Sequence, residues 1–368
     1  MTRTIRNYCS RLLTRKYLVR PVCVLVAAAL MLQGCTGEAS SPPKRVKIAV
    51  LTYDEYDTFI DSMTRYMTKW CRQKEKDDGI RITLDIAGAK KNQLTQNDQA
   101  EKYISAKYDV LCVNLVDRTD ATVIIDRAMA SDTPVIFFNR QPVEEDLARW
   151  DKLYYVGAPA RQSAELQAKI IIDALSDPEK FADVDKNGND TIQYVMLEGE
   201  AGHQDTLVRT SVRTNELTKA GFALEKLGDE YANWDRDQAR AKMTELINRY
   251  PFQIEMVIAD NDDMALGALD ALEESDYPLD PFVVGINGTE EGLEAIRTMK
   301  LDGSVYNDAK GQGEVIMEMA YSLASGDPFP ETIELTFDKY VFRPYSIITY
   351  DNVQEYLKMI NVTAAGGR

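Results

Sequence analysis

The sequence predicts an α/β chain of two similar doubly wound parallel-sheet lobes. Two observations carry that prediction. From residue 46 short β-branched runs alternate with helix-length segments, and the series starts again near residue 152. Buried-type runs of roughly four to eight residues alternating with helices are the mark of βαβ units and a parallel sheet. The runs also end on polar or aromatic residues, and open α/β sheets bind ligands beyond the carboxyl ends of their strands.

The first set opens with VKIAVLTY (46–53) and a helix over 58–76. RITLDIA (81–87), a helix over 97–107, YDVLCVNLV (108–116), a helix over 119–130 and PVIFFN (134–139) follow. The second set runs from KLYYVGA (152–158) and a helix over 160–176 to TIQYVMLEG (191–199) and a helix over 207–220. FALEKLGD (222–229), a helix over 236–248, IEMVIAD (254–260), a helix over 262–274 and FVVGING (282–288) complete it. A cleft between two such lobes gathers several strand ends, which points to Asp57, Phe59, Asn114, Asn139, the 199–209 loop, Asn261 and Asn287.

Composition narrows the chemistry. The 368 residues hold 43 Lys and Arg against 59 Asp and Glu, a net charge of −16, with 45% hydrophobic residues and a single His. A sizeable core follows, and wholesale disorder does not. A nucleic-acid partner would need a basic footprint, which an acidic chain does not offer. One histidine removes multi-His zinc chemistry and leaves a Ser-His-Asp triad a single base, His203. GxGxxG and GxxxxGK phosphate loops are both absent.

The charge is unevenly placed. Residues 1–35 carry six basic residues and no acidic one, so the remaining 37 basic residues face all 59 acids, a balance of −22. The basic segment precedes a 12-residue apolar run, PVCVLVAAALML (21–32), and Leu32-Gln33-Gly34-Cys35. That order reads as a secretory signal, and the run is short of the roughly 20 residues a spanning helix needs. Cys35 directly after Leu-x-Gly resembles the lipobox of bacterial lipoproteins, although Gln33 departs from it. The Ser/Pro-rich GEASSPPK (37–44) then serves as a tether. With the N-terminus taken up this way, a DNA-reading module has no place. Cys71 and Cys112 leave two readings open, a disulfide or two small buried hydrophobes, and their apolar settings favour the second.

The sharpest polar signal is GEAGHQDTLVR (199–209), which sets His203, Asp205 and Arg209 on a loop entering a helix. Taken alone, Asp205 and Arg209 at i, i+4 read first as a solvated helix pair. Phe59 and Trp234 follow strand ends, where the plain reading is core packing. Beside Asp57, Asn114, Asn261 and Asn287 they also suit a sugar, which offers apolar C–H faces and a rim of hydroxyls. Paired acids would serve a glycosidase, but no two stand apart from the rest. DVDKNGNDTIQ (183–193) carries oxygen side chains at spacing two, like the start of an EF-hand loop. A register from Asp185 puts Asp190 where a turn glycine belongs. A register from Asp183 places Gly188 there but shifts Ile192, and an ordinary polar turn explains the run as well.

In order along the chain, QNDQ (96–99), VNLVD (113–117), PVIFFN (134–139), YYVG (154–157), IQYVMLEGEAGHQD (192–205), NWDRDQA (233–239), VIADNDDMALGA (257–268) and NDA (307–309) resemble the bacterial galactose/glucose-binding proteins, type I periplasmic solute-binding proteins. The resemblance covers about residues 46–358. It implies two lobes joined by three crossing segments, closing on a sugar by hinge bending. It implies sugar contacts at Asp57, Phe59, Asn114, His203, Asp205, Arg209, Trp234, Asn261, Asn287 and Asn307, with Phe59 and Trp234 sandwiching the ring. It also implies one calcium ion at Asp185, Asn187, Asn189, the Thr191 carbonyl and Gln193, with Glu255 as the distant carboxylate.

Two departures stand out. Asn287 replaces the family's aspartate (GING for GVDA), and Asp190 replaces the loop glycine. The expected organisation is a signal at 1–34, a lipidated tether at 35–45, one lobe from 46–139 plus 308–342, a second from 140–307 plus 343–360, and a tail at 361–368. The expected function is non-enzymatic: a monomeric, lipid-anchored receptor carrying D-galactose or D-glucose to an ABC importer, and to a chemoreceptor. The alternatives are a sensor for a different sugar and, remotely, a secreted glycosidase.

Overall fold

The computed structural model describes residues 44–365, with side chains to residue 360. The expected signal, Cys35 and nearly all of the tether lie outside the described residues. Among the described residues no helix is long and apolar enough to cross a membrane.

The chain opens with β1 (Arg45–Thr52), α1 (Thr58–Asp78), β2 (Arg81–Gly88), α2 (Gln93–Ser105), β3 (Val110–Val113), α3 (Thr122–Ala130), β4 (Val135–Phe138), the single turn α4 (Glu144–Leu147) and β5 (Leu153–Gly157). It continues with α5 (Ala160–Leu175), α6 (Pro178–Val184), β6 (Ile192–Glu198), α7 (Gln204–Ala220), β7 (Leu224–Tyr231), α8 (Arg236–Arg249), β8 (Met256–Ala259), α9 (Asp262–Glu274), β9 (Phe282–Val284), α10 (Glu290–Arg297) and β10 (Gly303–Tyr306). Last come α11 (Ala309–Ser325), β11 (Tyr340–Phe342), β12 (Ser346–Thr349) and α12 (Val353–Ala365), which runs past the expected start of the tail at 361.

Two six-stranded sheets result, in the orders β11-β5-β4-β3-β1-β2 and β12-β10-β9-β8-β6-β7. Among the described strands, only β12 runs antiparallel to its neighbour, β10. The central strands β3 (VLCV), β4 (VIFF) and β8 (MVIA) are buried at every position, as strands covered on both faces must be. At the edges β2 and β7 carry charges along partly exposed strands, which discourages edge-to-edge pairing.

The two sheets repeat one winding, and each reverses direction between its first and third strands, β1/β3 and β6/β8. That reversal opens a crevice at the carboxyl ends, the place where doubly wound sheets hold ligands. The chain crosses between the sheets three times: between β5 and α5, between β10 and α11, and between β11 and β12. α11 returns to the first sheet, burying Ile316, Met317 and Ala320 against Ile48 and Val50.

One expected boundary changes. β5 pairs in parallel with both β4 and β11, so the first lobe runs through Gly157, where the sequence placed its break at 139/140. The run LYYVG has the buried composition of any central parallel strand, and composition does not tell which sheet receives it. Cys71 and Cys112 are free thiols, both buried, and Cys71 Sγ lies 3.6 Å from Met317 Sδ. Burial pushes the Cys71 thiol up to about 12, as expected of a packed hydrophobe.

Candidate functional site

The strand ends of both sheets converge on a chamber of about 40 Å³. From the first lobe it is lined by Tyr53, Asp57, Phe59, Asn139 and Arg140. The second lobe supplies His203, Asp205, Arg209, Trp234 and Asn261, and Asn287 and Asn307 close it near a crossing. Phe59, Asn287 and Asn307 also line a groove of about 1260 Å³ between α1 and α10, next to the chamber. At about 30 Å³ per liquid water the chamber takes one or two waters, so a six-membered ring requires the walls to part.

Each wall is set by helix capping. Asp57 caps α1, its Oδ1 accepting from Ile60 N at 2.8 Å, while its Oδ2 accepts from the Tyr53 hydroxyl at 2.7 Å. Burial raises its pKa above the usual carboxylate range despite those bonds. His203 caps α7: its Nδ1 accepts from Asp205 N at 3.1 Å, which leaves Nε2 as the protonated nitrogen and a donor. Burial, then the charges of Arg140, Arg209 and Arg118, hold the imidazole neutral far below its ordinary pKa. Asn261 caps α9 through Met264 N and donates from Nδ2 to the Trp234 carbonyl at 3.1 Å.

Arg209 is 3% exposed. It donates to Ser163 Oγ at 3.0 Å, the Asp260 carbonyl at 2.7 Å, and Asp205 Oδ2 and the Tyr345 hydroxyl at 3.2 Å each. The solvated-pair reading of Asp205 and Arg209 is therefore wrong. The spacing was read correctly, but Ser163 and Tyr345 from distant segments bury the pair. Behind it the buried Arg213 joins Asp260 Oδ1 at 2.9 Å and Gln167 Oε1 at 2.7 Å, and Asp260 Oδ2 receives Gly199 N at 3.1 Å. This fixes the ends of β6 and β8 relative to each other. Gly199 is needed for close approach, since a Cβ there would lie 2.1 Å from the Trp234 ring.

Nine of the ten residues expected at a sugar line the chamber. Asn114 does not. Wholly buried, it accepts from Tyr53 N at 3.3 Å and donates to Asn139 Oδ1 at 3.0 Å, holding two lining residues from behind. Asn287 sits at φ 120°, a conformation L side chains rarely adopt, and its Oδ1 faces Asn307 Nδ2 at 3.4 Å. Two lining residues escaped the sequence reading, Tyr53 and Arg140. The Arg140 guanidinium lies 3.6 Å over the Tyr53 ring and pairs with Glu200 at 2.9 Å. Only the strand-end position of FFNR hinted at it.

The 185–193 loop closes on its own backbone. Asp185 accepts from Gly188 N at 2.9 Å, Asn189 N at 3.2 Å and Asp190 N at 2.8 Å. Glu255, wholly buried, accepts from Asn187 N at 3.1 Å and Gln193 N at 2.9 Å. Asp190 takes φ 60°, the conformation that a glycine supplies more readily. Among the described residues no group of three or more His, Cys, Asp or Glu is arranged to hold a metal. The donor chemistry here is different, two carboxylates with neutral amide and carbonyl oxygens, and it suits a hard divalent cation. The Asn187 amide now donates to Gln193 Oε1 at 2.7 Å, so one of these amides would turn to offer its oxygen.

Two lobes of one winding, three crossings and a polar, aromatic-walled chamber between strand ends are the architecture of a receptor for a small solute. Residues 48–328 match the periplasmic binding protein domain family, and the chain belongs to that family. It is 31% identical over 335 residues to the D-galactose/methyl-galactoside binding periplasmic protein MglB of Haemophilus influenzae, covering 90% of this chain and 97% of that one. It is 29% identical to a putative rhizopine-binding protein of Rhizobium meliloti, over 75% of this chain and 82% of that protein. Among solved structures, an ABC transporter solute-binding protein from Bacillus halodurans with bound myo-inositol is 28% identical. It superposes with a TM-score of 0.69 over 87% of this chain and 99% of that one. These relatives are binding proteins, and this chain is a binding protein and not an enzyme, which sets the glycosidase alternative aside.

Proposed function

We propose that the protein binds a monosaccharide outside the cytoplasm, D-galactose or D-glucose first, and delivers it to an ABC importer. One observation supports this best: Phe59 and Trp234 stand in a chamber whose remaining lining is almost entirely hydrogen-bonding. Hydroxyls both donate and accept. Arg209 and the Nε2 proton of His203 supply donors, Asp57 and Asp205 supply acceptors, and the aromatic faces receive ring C–H groups. The 31% identical galactoside-binding relative favours the same choice. Closure about the three crossings would bury the sugar and create the surface that permease subunits read, and a chemoreceptor would read the same surface.

A second reading is a different sugar or a cyclitol on the same fold. Asn287 motivates it, because an amide adds a donor and removes a charge where the resemblance implies a carboxylate. A relative solved with myo-inositol agrees. Calorimetric titration with galactose, glucose, ribose and myo-inositol separates the two readings.

The same proposal includes a monomer held to the membrane by lipid on Cys35, and one structural calcium ion held by Asp185, Asn187, Asn189, Thr191, Gln193 and Glu255. Mass spectrometry of the membrane fraction reads the first part.

A further inference from the structure

Two arginines of the first lobe grip the loop of the second lobe that carries His203. Arg140, 4% exposed, follows β4 and pairs with Glu200 Oε2 at 2.9 Å. Arg118, between β3 and α3, donates from Nε to Gln204 Oε1 at 3.0 Å and to the Gln141 carbonyl at 2.9 Å. Glu200 and Gln204 bracket His203, so the first lobe holds both ends of the segment from which the imidazole enters the chamber.

Arg140 also reaches the other wall. Its guanidinium carbon lies over the Tyr53 ring, 3.6 Å from the ring centre, and the Tyr53 hydroxyl donates to Asp57 Oδ2 at 2.7 Å. It donates as well to the Val116 carbonyl at 2.8 Å, which fixes the fork in the first lobe. A single side chain therefore connects Asp57 on one lobe to the His203 loop on the other. A buried, charge-assisted pair across a cleft forms fully only when the lobes meet in register.

We propose that Arg140 is a positioning residue for the bound sugar: its pair with Glu200 holds the two lobes in register, with or without sugar, and so sets the His203 donor against the ligand that Asp57 accepts from. The inference rests on the sugar-binding reading and extends it to residues outside the expected contact set. It explains why an arginine faces a chamber for a neutral ligand: the charge serves the loop. The charged groups around His203 are Arg140, Arg209 and Arg118, with Glu200 on its own loop and Asp205 in the first turn of α7.

The test uses the purified protein, its Arg140→Gln and Glu200→Gln variants, and the double variant. Titration with D-galactose and D-glucose is expected to show a loss of at least about tenfold for either single change. The double variant is expected to lose no more than Arg140→Gln alone, because both remove one interaction. Ligand-free melting is expected to fall in both single variants, because each leaves the other charge without its partner, and to recover in part in the double variant. The chain has one histidine, so its imidazole NMR signals belong to His203. In ligand-free protein its titration is expected to move to higher pH in Arg140→Gln, and Arg140→Lys is expected to restore it.

Wild-type affinity in Arg140→Gln, or additive losses in the double variant, overturn the proposal. So does an unchanged His203 titration. If the wild type binds neither sugar, the galactose/glucose reading fails, while the NMR comparison still decides the Arg140 contact. If Arg140→Gln does not fold, Glu200→Gln supplies the affinity comparison.

Discussion

The indole of Trp234 stands edge-on to the imidazole of His203, with centroids 5.1 Å apart and planes at 74°. The same ring has the Arg209 guanidinium 5.7 Å from its centre. Trp234 thus fixes a donor and a cation of the chamber while presenting its own face. It sits at φ 65°, held there in part by the Asn261 amide on its carbonyl.

Removing that ring should damage binding more than folding. Trp234→Ala is expected to weaken sugar affinity by more than about tenfold, since an aromatic contact contributes of order 1 kcal/mol beyond its area and the His203 support goes with it. Phe59→Ala should also weaken binding, but with a larger drop in melting temperature, because Phe59 belongs to the first lobe's core. Equal losses of melting temperature in both variants would contradict this division.

Gly199→Ala tests the close approach of the indole to the end of β6. With 2.1 Å between the new Cβ and the ring, Trp234 must move. Affinity should fall, and the tryptophan fluorescence change on sugar addition should shrink. Unaltered binding would mean that the indole has another place to go.

Acidity should couple to stability at Asp263. Burial, with Asp57, Asp262 and Glu291 nearby, pushes this carboxyl up to about 7, against a hydrogen bond from Thr58 across the cleft. A folded pKa above the unfolded value of about 4 means that the folded state holds the extra proton. Its contribution is fully present below about pH 4 and is lost as pH rises towards 7. Asp263→Asn is therefore expected to melt higher than the wild type at pH 8, with the advantage vanishing near pH 4. An advantage independent of pH would count against the assignment.

Calcium is expected to raise the melting temperature, and a chelator to lower it. Glu255→Gln should remove the response, because it takes away one of only two carboxylates in the proposed set. Chelator-insensitive melting of the wild type would end the calcium proposal.

Much of this was legible in the sequence because strand ends in α/β lobes fall where polar residues interrupt apolar runs. Asp57, His203 and Asn261 could be found that way, since each is also the cap of the helix that follows. Arg140 could not. Its significance lies in a ring at position 53 and a carboxylate at 200, and no local periodicity connects them. The burial of Asp205 with Arg209 was hidden for the same reason, and β10, β11 and β12 lack the unbroken four-residue apolar run that marks the equally short β3, β4 and β8. β5 was recognisable as a strand, but its sheet is decided by pairing with β4 and β11.

The central claim is that this chamber binds a hexose. Isothermal titration of the purified protein with D-galactose and D-glucose, beside Trp234→Ala, tests it most directly. The account predicts saturable one-to-one heat with at least one of the two sugars and a strong reduction in the variant. No heat with either sugar, or binding indifferent to Trp234, would contradict it.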